Sequence, residues 1–250
     1  MLIDSHCHIL SNEYEDVDKV IKNSLKIVDK IIINSYDLES SKEAVKLAKK
    51  YDNVYVAIGI SPDNVDTVKE NDINCIKLLS KEAKVVAIGE IGLDYYWTKE
   101  NKNIQIKIFK EMIKIAKMSN LPVIVHNRSA TDDVYRILKD SYVTGIIHCF
   151  SGSLEIAREF IKLGFLIGIG GVVTFKNSKN IKEVVKNIPL SSISLETDSP
   201  YLTPEPYRGT INDPTKIVFI AKKISELKDI DVDAVINQTG LAVCSKFDLS

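Results

Sequence analysis

The chain reads as an α/β protein of the eight-stranded (β/α)8, or TIM-barrel, class, and three observations predict it. Short β-branched runs alternate with longer amphipathic stretches from end to end. Eight such runs, each followed by a helical pattern, fit within 250 residues. Chemistry-bearing residues recur at the carboxyl ends of runs one, four, five, six and eight. An open doubly wound sheet gathers its ligands at one switch point, whereas a closed barrel brings the ends of all its strands round one mouth. Side chains so far apart in sequence converge only in the second case. With no repeat, low-complexity tract or linker, residues 1–250 are read as one domain.

The elements follow in order. Strand one, Leu2–His6, is apolar until it meets the polar DSHCH, and a helix is expected over Val17–Val28. Strand two, Lys30–Asn34, carries three consecutive isoleucines, as a fully buried parallel strand should, and precedes a helix over Ser40–Lys50. Strand three (Val54–Gly59) leads to a helix over Asn71–Leu79, and strand four (Val85–Glu90) to one over Asn103–Met118. In that fourth helix Ile104, Ile108, Met112, Ile115 and Ala116 recur at helical spacing. Strands five (Pro122–His126), six (Gly145–Cys149) and seven (Phe165–Ile169) alternate with helices over Thr131–Lys139, Ser153–Leu163 and Lys179–Lys186. Strand eight (Ile193–Thr197) is followed by helices over Thr215–Leu227 and Val232–Lys246.

A hydrophobic fraction of 45% and a charged fraction of 27% describe an ordinary globular chain and exclude a disordered one. No apolar stretch approaches the roughly 18 residues of a membrane span, so no membrane partner is expected. MLIDSHCH has neither a basic nor a long apolar leader region, so no signal peptide is expected. Four cysteines without CxxC pairing fit a reduced, cytoplasmic setting. A net charge of -1 offers no global attraction to nucleic acid, so any hold on a polyanion must be local. Lysine supplies nearly all the basic total; the arginines are Arg128, Arg136, Arg158 and Arg208.

All four histidines, His6, His8, His126 and His148, end strand-like runs, and Glu90 (closing KVVAIGE) and Asp198 (closing ISLETD) join them. Independent placement would put four histidines there on the order of once in 10³ to 10⁴, so an assembled metal site is preferred over scattered core histidines. His6 and His8 form an HxH pair whose i and i+2 side chains share a strand face. A carboxylate at the end of an apolar strand, as at Glu90, is costly unless it meets a cation or strong donors; a buried lysine pair is the alternative. Thr197 and Glu196 compete with Asp198 for hydrogen-bonding roles, but Asp198 holds the strand end.

Four nitrogens and two carboxylates exceed the needs of one tetrahedral ion and suit two divalent cations sharing a bridging carboxylate. Zinc, manganese, nickel and cobalt suit imidazole better than magnesium does. Two such ions outweigh the charges of Glu90 and Asp198, leaving a positive centre that would draw an anionic or carbonyl substrate. Near it, Arg128 and Arg208 are read as phosphate clamps, with surface salt bridges as the alternative. Tyr95, Tyr96 and Trp97 are placed at the mouth, where they could stack on bases, although loop packing is the preferred reading. Asp94 is expected to organise that turn and could support a ligand. The glycines of GIGG (168–171) are read as close-packing positions near the mouth. Alternation should turn Cys7 and Cys149 away from the metals.

With these residues in place the chain resembles the TatD family of metal-dependent hydrolases, often called TatD-related deoxyribonucleases. The matching segments are DSHCH, GEIGLDYYW, LPVIVHNRSA, HCFSGS, GIGGVVTF, SLETDSPYLTP and YRGTINDP, from Asp4 to Pro214. The resemblance implies a barrel of the amidohydrolase type. It also implies that His6, His8 and Asp198 hold one metal, that His126 and His148 hold the second, and that Glu90 bridges them. The implied activity is hydrolysis of DNA phosphodiesters, often exonucleolytic, with divalent cations required and single strands or 3′ ends as substrate. Two segments depart from the family pattern: GISPDNV has Ser61 and Asp63 where histidines are usual, and RGTINDP has uncharged Thr210 and Ile211 in a basic stretch, which should weaken the hold on a phosphate backbone.

The expected chemistry is an in-line attack by a hydroxide held between the two metals, with Asp198 accepting the nucleophile's proton and returning it to the leaving oxygen. The same centre could instead open a carbonyl, in an amide or an aminoacyl-tRNA ester. Metal storage or partner binding without catalysis is the third, weaker alternative. A monomer is expected.

Overall fold

The computed structural model of the chain describes residues 1–98 and 100–249. Eight strands, β1 (Ile3–Cys7), β2 (Lys30–Asn34), β3 (Val54–Ile58), β4 (Val85–Asp94), β5 (Val123–Arg128), β6 (Gly145–Ile147), β7 (Phe165–Ile169) and β8 (Ile193–Leu195), lie side by side in sequence order. Each neighbouring pair is parallel, which demands a crossover between consecutive strands. Helices supply it: α1 (Val17–Ser24), α2 (Leu38–Ala48), α3 (Glu70–Leu79), α4 (Lys102–Ser119), α5 (Thr131–Ser141), α6 (Leu154–Lys162) and α7 (Lys179–Asn187), with α8 (Ile217–Lys228) and α9 (Val232–Phe247) after the last strand.

Local chemistry sets the helix ends. Asp37 caps α2, accepting from the Ser40 N–H while Ser40 bonds back to the Asp37 N–H. α4 buries Ile108, Phe109, Met112, Ile115 and Ala116 and stops where Asn120 turns left-handed at φ 53°. α1 ends at Ser24, short of the expected Val28. There the chain must turn to bury Val28 and deliver Asp29 to the Leu2 carbonyl at 2.8 Å, beside the start of β2.

Two cores result. One lies between the sheet and the helices. The other fills the cylinder, where Ile3, Ile32, Ala57, Ala87, Ile124, Ile146 and Leu166 are sealed from below by Val243 and Phe247 of α9 and by Leu249. Burying one such large side chain is worth about 1.5–3 kcal/mol, so the C-terminal helix is an integral plug. The amino ends of the strands are closed and the carboxyl ends are free to form a site.

β8 meets β1 through a different set of bonds. The Ser5 hydroxyl donates to the Leu195 carbonyl (2.9 Å) and accepts from the Ser194 hydroxyl (2.6 Å). Beyond the strands, the Asp198 N–H donates to the His6 carbonyl (2.9 Å) and the His8 N–H to the Ser199 carbonyl (2.7 Å). Asp4, fully buried, accepts from the Thr197 N–H and hydroxyl across the same seam. Burial outweighs these bonds and pushes its carboxyl up to about 8.

Candidate metal centre

The seam contacts carry His6, His8 and Asp198 to one point, since each lies within two residues of a cross-seam bond. Glu90 arrives differently from the expectation. It does not end its strand: β4 runs on to Asp94, and its register against β5 shifts between Ile88 and Ile91. The added segment needs Gly92 (φ 144°) opposite His126, because a Cβ there would lie 2.0 Å from the His126 carbonyl oxygen. β6 and β8 are shorter than expected, so His148 and Asp198 stand just past their strands, His148 tied by its N–H to the Val125 carbonyl at 3.0 Å.

Glu90 stands between two imidazole pairs. Its Oε2 lies 3.5 Å from His6 Nε2 and 3.6 Å from His8 Nε2, and Asp198 Oδ1 lies at the same two distances from those nitrogens. His6 Nε2 and His8 Nε2 are 3.2 Å apart. On the other side Oε1 lies 2.8 Å from His126 Nδ1 and 3.1 Å from His148 Nε2, which are 3.3 Å apart. Ligand atoms about 2.1 Å from a tetrahedral ion lie about 3.4 Å from one another, so both sets are spaced for one cation each. Three groups have all their ligand atoms within 4.8 Å: His6, His8 and Glu90; His6, His148 and Asp198; and Glu90, His126 and His148. His6 and His148 also stack, ring centroids 3.8 Å apart. No lysine reaches Glu90 among the described residues; imidazoles take that place.

Hydrogen bonds behind the rings set their tautomers. His8 Nδ1 lies 2.9 Å from the Asn34 carbonyl, which can only accept, so Nδ1 carries the proton and Nε2 turns a lone pair inward. His126 Nε2 lies 2.9 Å from Asp94 Oδ2, which keeps a proton there and leaves Nδ1, 2.8 Å from Glu90 Oε1, as the nitrogen that would face a cation in place of its own proton. Behind His148 is Glu196, fully buried, with Oε1 accepting the Cys149 N–H at 2.5 Å and lying 3.7 Å from His148 Nδ1. Among the described residues, neither His148 Nδ1 nor Glu196 Oε2 makes a hydrogen bond. This carboxylate fits only because residue 168 is glycine: a Cβ there would be 2.5 Å from Glu196 Oε2. The close-packing reading of Gly168 is thereby borne out.

Charge follows geometry. Burial opposes ionisation of Glu90, yet His148, His126 and His6 hold its carboxyl well below the carboxylate range. Burial likewise opposes a charged His126, but Asp94 and Glu90 raise it to about 9, and Glu90 and Glu196 raise His148 well above the usual value. His6 goes down through burial and the neighbouring His148 charge. The anionic bridge therefore gathers positive charge on its imidazoles, the charge that divalent cations would supply in place of protons. The inward nitrogens, their spacing and this demand all fit two divalent cations.

The centre opens into a cavity of about 450 Å³ also lined by Asp63, Arg128, Val172, Tyr201 and Leu202. Arg128 packs its guanidinium 3.9 Å from the centroid of the Tyr96 ring and 5.2 Å from that of Trp97, with no ion pair among the described residues. Arg208 lies outside the lining, stacked 3.9 Å over Phe175, and it too has no ion pair among the described residues. Loop packing accounts for Tyr95, which is buried and donates to Asp133 at 2.9 Å, but Tyr96 and Trp97 are 57% and 70% exposed. Cys7 does turn away, its thiol towards the Ile32 carbonyl. Cys149 does not: a backbone φ of 45° past β6 breaks the alternation and leaves it lining the cavity. The sequence predicts a hydrogen-bonding role for Glu196 beside Asp198 but does not place it behind His148, though its i, i+2 spacing from Asp198 is a usable signal; Asp94, which the sequence allows as a support for a ligand, does stand behind His126.

Hydrolysis assisted by two cations needs ligands spaced for both and an accessible mouth, and the class this barrel and centre define is that of metal-dependent hydrolases with a binuclear site. The family described as TatD related DNase matches residues 3–248. The chain is 44% identical to the metal-dependent hydrolase YabD of Bacillus subtilis over 244 residues, 96% of each chain. Its fold superposes on YjjV, a TatD homolog from Escherichia coli, with a TM-score of 0.92 and 30% identity over 100% of this chain and 98% of that one. A TatD family hydrolase from Entamoeba histolytica follows at 0.88 and 25% identity, covering 98% and 97%. The chain belongs to the TatD family of metal-dependent hydrolases. No helix among the described residues is long and apolar enough to cross a membrane.

Proposed function

We propose that the protein is a deoxyribonuclease that removes nucleotides from the ends of single-stranded DNA, 3′ ends first. The observation that carries this reading is the division of the Glu90 carboxylate between two imidazole pairs, in a cavity lined by Arg128, whose guanidinium packs on the exposed Tyr96 and Trp97 rings. His6, His8 and Asp198 are assigned to one cation, His126 and His148 to the other, and Glu90 to both. When bound, the cations supply a water acidic enough to ionise near neutral pH and neutralise charge on the phosphoryl oxygens.

The chain's own groups do the rest. Asp198, held low because His8, His148 and His6 offset its burial, is free to accept the nucleophile's proton and to pass it to the leaving oxygen. Asp94 keeps His126 in one tautomer. Arg128 offers a planar guanidinium to a non-bridging phosphate oxygen, and its stacking on Tyr96 limits the entropy lost on binding. Arg208 is assigned to the strand farther from the centre. Tyr96 and Trp97 offer faces for bases; base stacking on aromatic rings is worth about 1–3 kcal/mol each. All six ligand candidates come from one chain, so a monomer of one catalytic domain suffices. The four free cysteines suit a reduced, cytoplasmic setting.

A carbonyl substrate, an amide or an aminoacyl-tRNA ester, is the second reading. Asp63 and Glu13 beside His8 favour it, since carboxylates there would pair with an amino group. Metal-reconstituted protein assayed against a 5′-labelled oligonucleotide, an aminoacyl-tRNA and a panel of amides decides between them, with Glu90→Ala as control. Stepwise shortening of the oligonucleotide that vanishes in the control is expected; turnover of carbonyl substrates alone would overturn the nuclease reading.

A further inference from the structure

The mouth of the barrel has two lobes of opposite character on either side of the centre. Towards β4 and β5 lie Arg128, Tyr96 and Trp97, a cation set among exposed rings. Towards β1 and β3 lies a second cavity of about 300 Å³, adjoining His8 and Glu90 and walled by Glu13, Tyr36, Asp63, Asn64 and Tyr201. No lysine or arginine lines this second lobe among the described residues. Tyr36 and Tyr201 flank the His8 ring, at 6.1 and 6.2 Å between centroids. Glu13 accepts a hydrogen bond from the Tyr201 hydroxyl at 2.9 Å, which keeps its carboxylate in the lobe. Asp63 is exposed and lines both cavities.

A phosphodiester held at the centre between these lobes has two unequal sides. The continuing strand, with a charge on every nucleotide, suits the Arg128 side. The group beyond the scissile bond must enter a space with aromatic faces, hydrogen-bonding groups and two carboxylates. A nucleoside ending in a hydroxyl meets those requirements. One ending in a phosphate would bring a dianion against Glu13 and Asp63, and like charges a few ångströms apart near a protein surface separate affinities by about ten- to a hundredfold.

We propose that the Glu13–Asp63 lobe is a terminal-nucleoside subsite that admits strand ends carrying a hydroxyl and rejects ends carrying a phosphate. This rests on the nuclease reading and adds the kind of end that is taken.

Four versions of one single-stranded oligonucleotide, with a hydroxyl or a phosphate at each end, test it with the metal-reconstituted full chain. A phosphate at the end being degraded should lower kcat/KM at least tenfold, chiefly through KM. In the double variant Glu13→Gln, Asp63→Asn, which keeps the shapes and removes the charges, that penalty should shrink to threefold or less. Binding of thymidine 3′- and 5′-monophosphate against the 3′,5′-bisphosphate, measured by calorimetry, should show the same preference for one monophosphate and the same collapse. Cleavage that ignores the terminal phosphate, or a penalty unchanged in the double variant, overturns the subsite and leaves the nuclease reading intact. Absence of cleavage with all four oligonucleotides overturns both.

Discussion

The two halves of the centre are built on different plans. His6 and His8 come from one strand end, two residues apart, and face a carboxylate of their own, Asp198. Among the described residues, the Asn34 carbonyl stands behind His8 and His6 Nδ1 has no hydrogen-bond partner. His126 and His148 come from separate strands and share only Glu90, but acids stand behind both rings: Asp94 at 2.9 Å and Glu196 at 3.7 Å. One half thus places its negative charge beside the cation position, the other behind the imidazoles, where it makes the rings more basic and, through the Asp94 hydrogen bond, fixes the tautomer of His126. The first should bind by direct charge, the second through the alignment of its supports. On chelation, the cation of the His126–His148 half should leave first.

Removing the group common to both halves should have the largest effect. Glu90→Ala is expected to lower kcat by about 10⁴-fold, beyond the loss of any single stabilising donor, and to leave less than one ion per chain by elemental analysis. A protein that keeps two ions would break the shared-carboxylate assignment. Next comes Asp198→Asn, expected to cost about 10³-fold in kcat, within the range of lost acid–base catalysis, while most bound metal remains. Near-normal turnover would remove Asp198 from proton transfer.

The supports come third. Asp94→Asn and Glu196→Gln should each weaken one cation by about 10- to 100-fold and spare the other, as two-step metal titration can resolve. Equal loss from both steps would erase the distinction between the halves. Gly168→Ala should act on the same half by pushing Glu196 aside, since its Cβ would sit 2.5 Å from Oε2. The overpacking should cost about 1–3 kcal/mol, read as a lower Tm together with a weaker second cation. Arg128→Ala should be mildest, raising KM several-fold and lowering the salt slope of oligonucleotide binding by about one. An unchanged slope would detach Arg128 from the phosphate.

Much of the site is legible in the sequence. Histidines and acids that end apolar runs had to meet once the runs closed into a barrel, and the i, i+2 spacing of His6 and His8 put both on one face. What escaped depended on local departures from regular strands. Glu90 was read as a strand end because the apolar run stops there, yet Gly92 lets β4 continue along His126. Alternation misplaced Cys149 because its left-handed backbone suspends the rule. Arg208 was placed by its distance along the chain from β8, which says nothing of the ring it stacks on.

By itself the sequence determined the alternation of strand and helix, the closed architecture and the six side chains that converge on its mouth, because hydrophobic periodicity and strand polarity are local properties that any chain must carry residue by residue. The tertiary structure alone decided how Glu90 divides its two oxygens, which acids stand behind which rings, and where Arg128, Glu13 and Asp63 stand around the mouth. Those follow from the register between strands and from loops packed over the rim, where ångström displacements decide which groups touch.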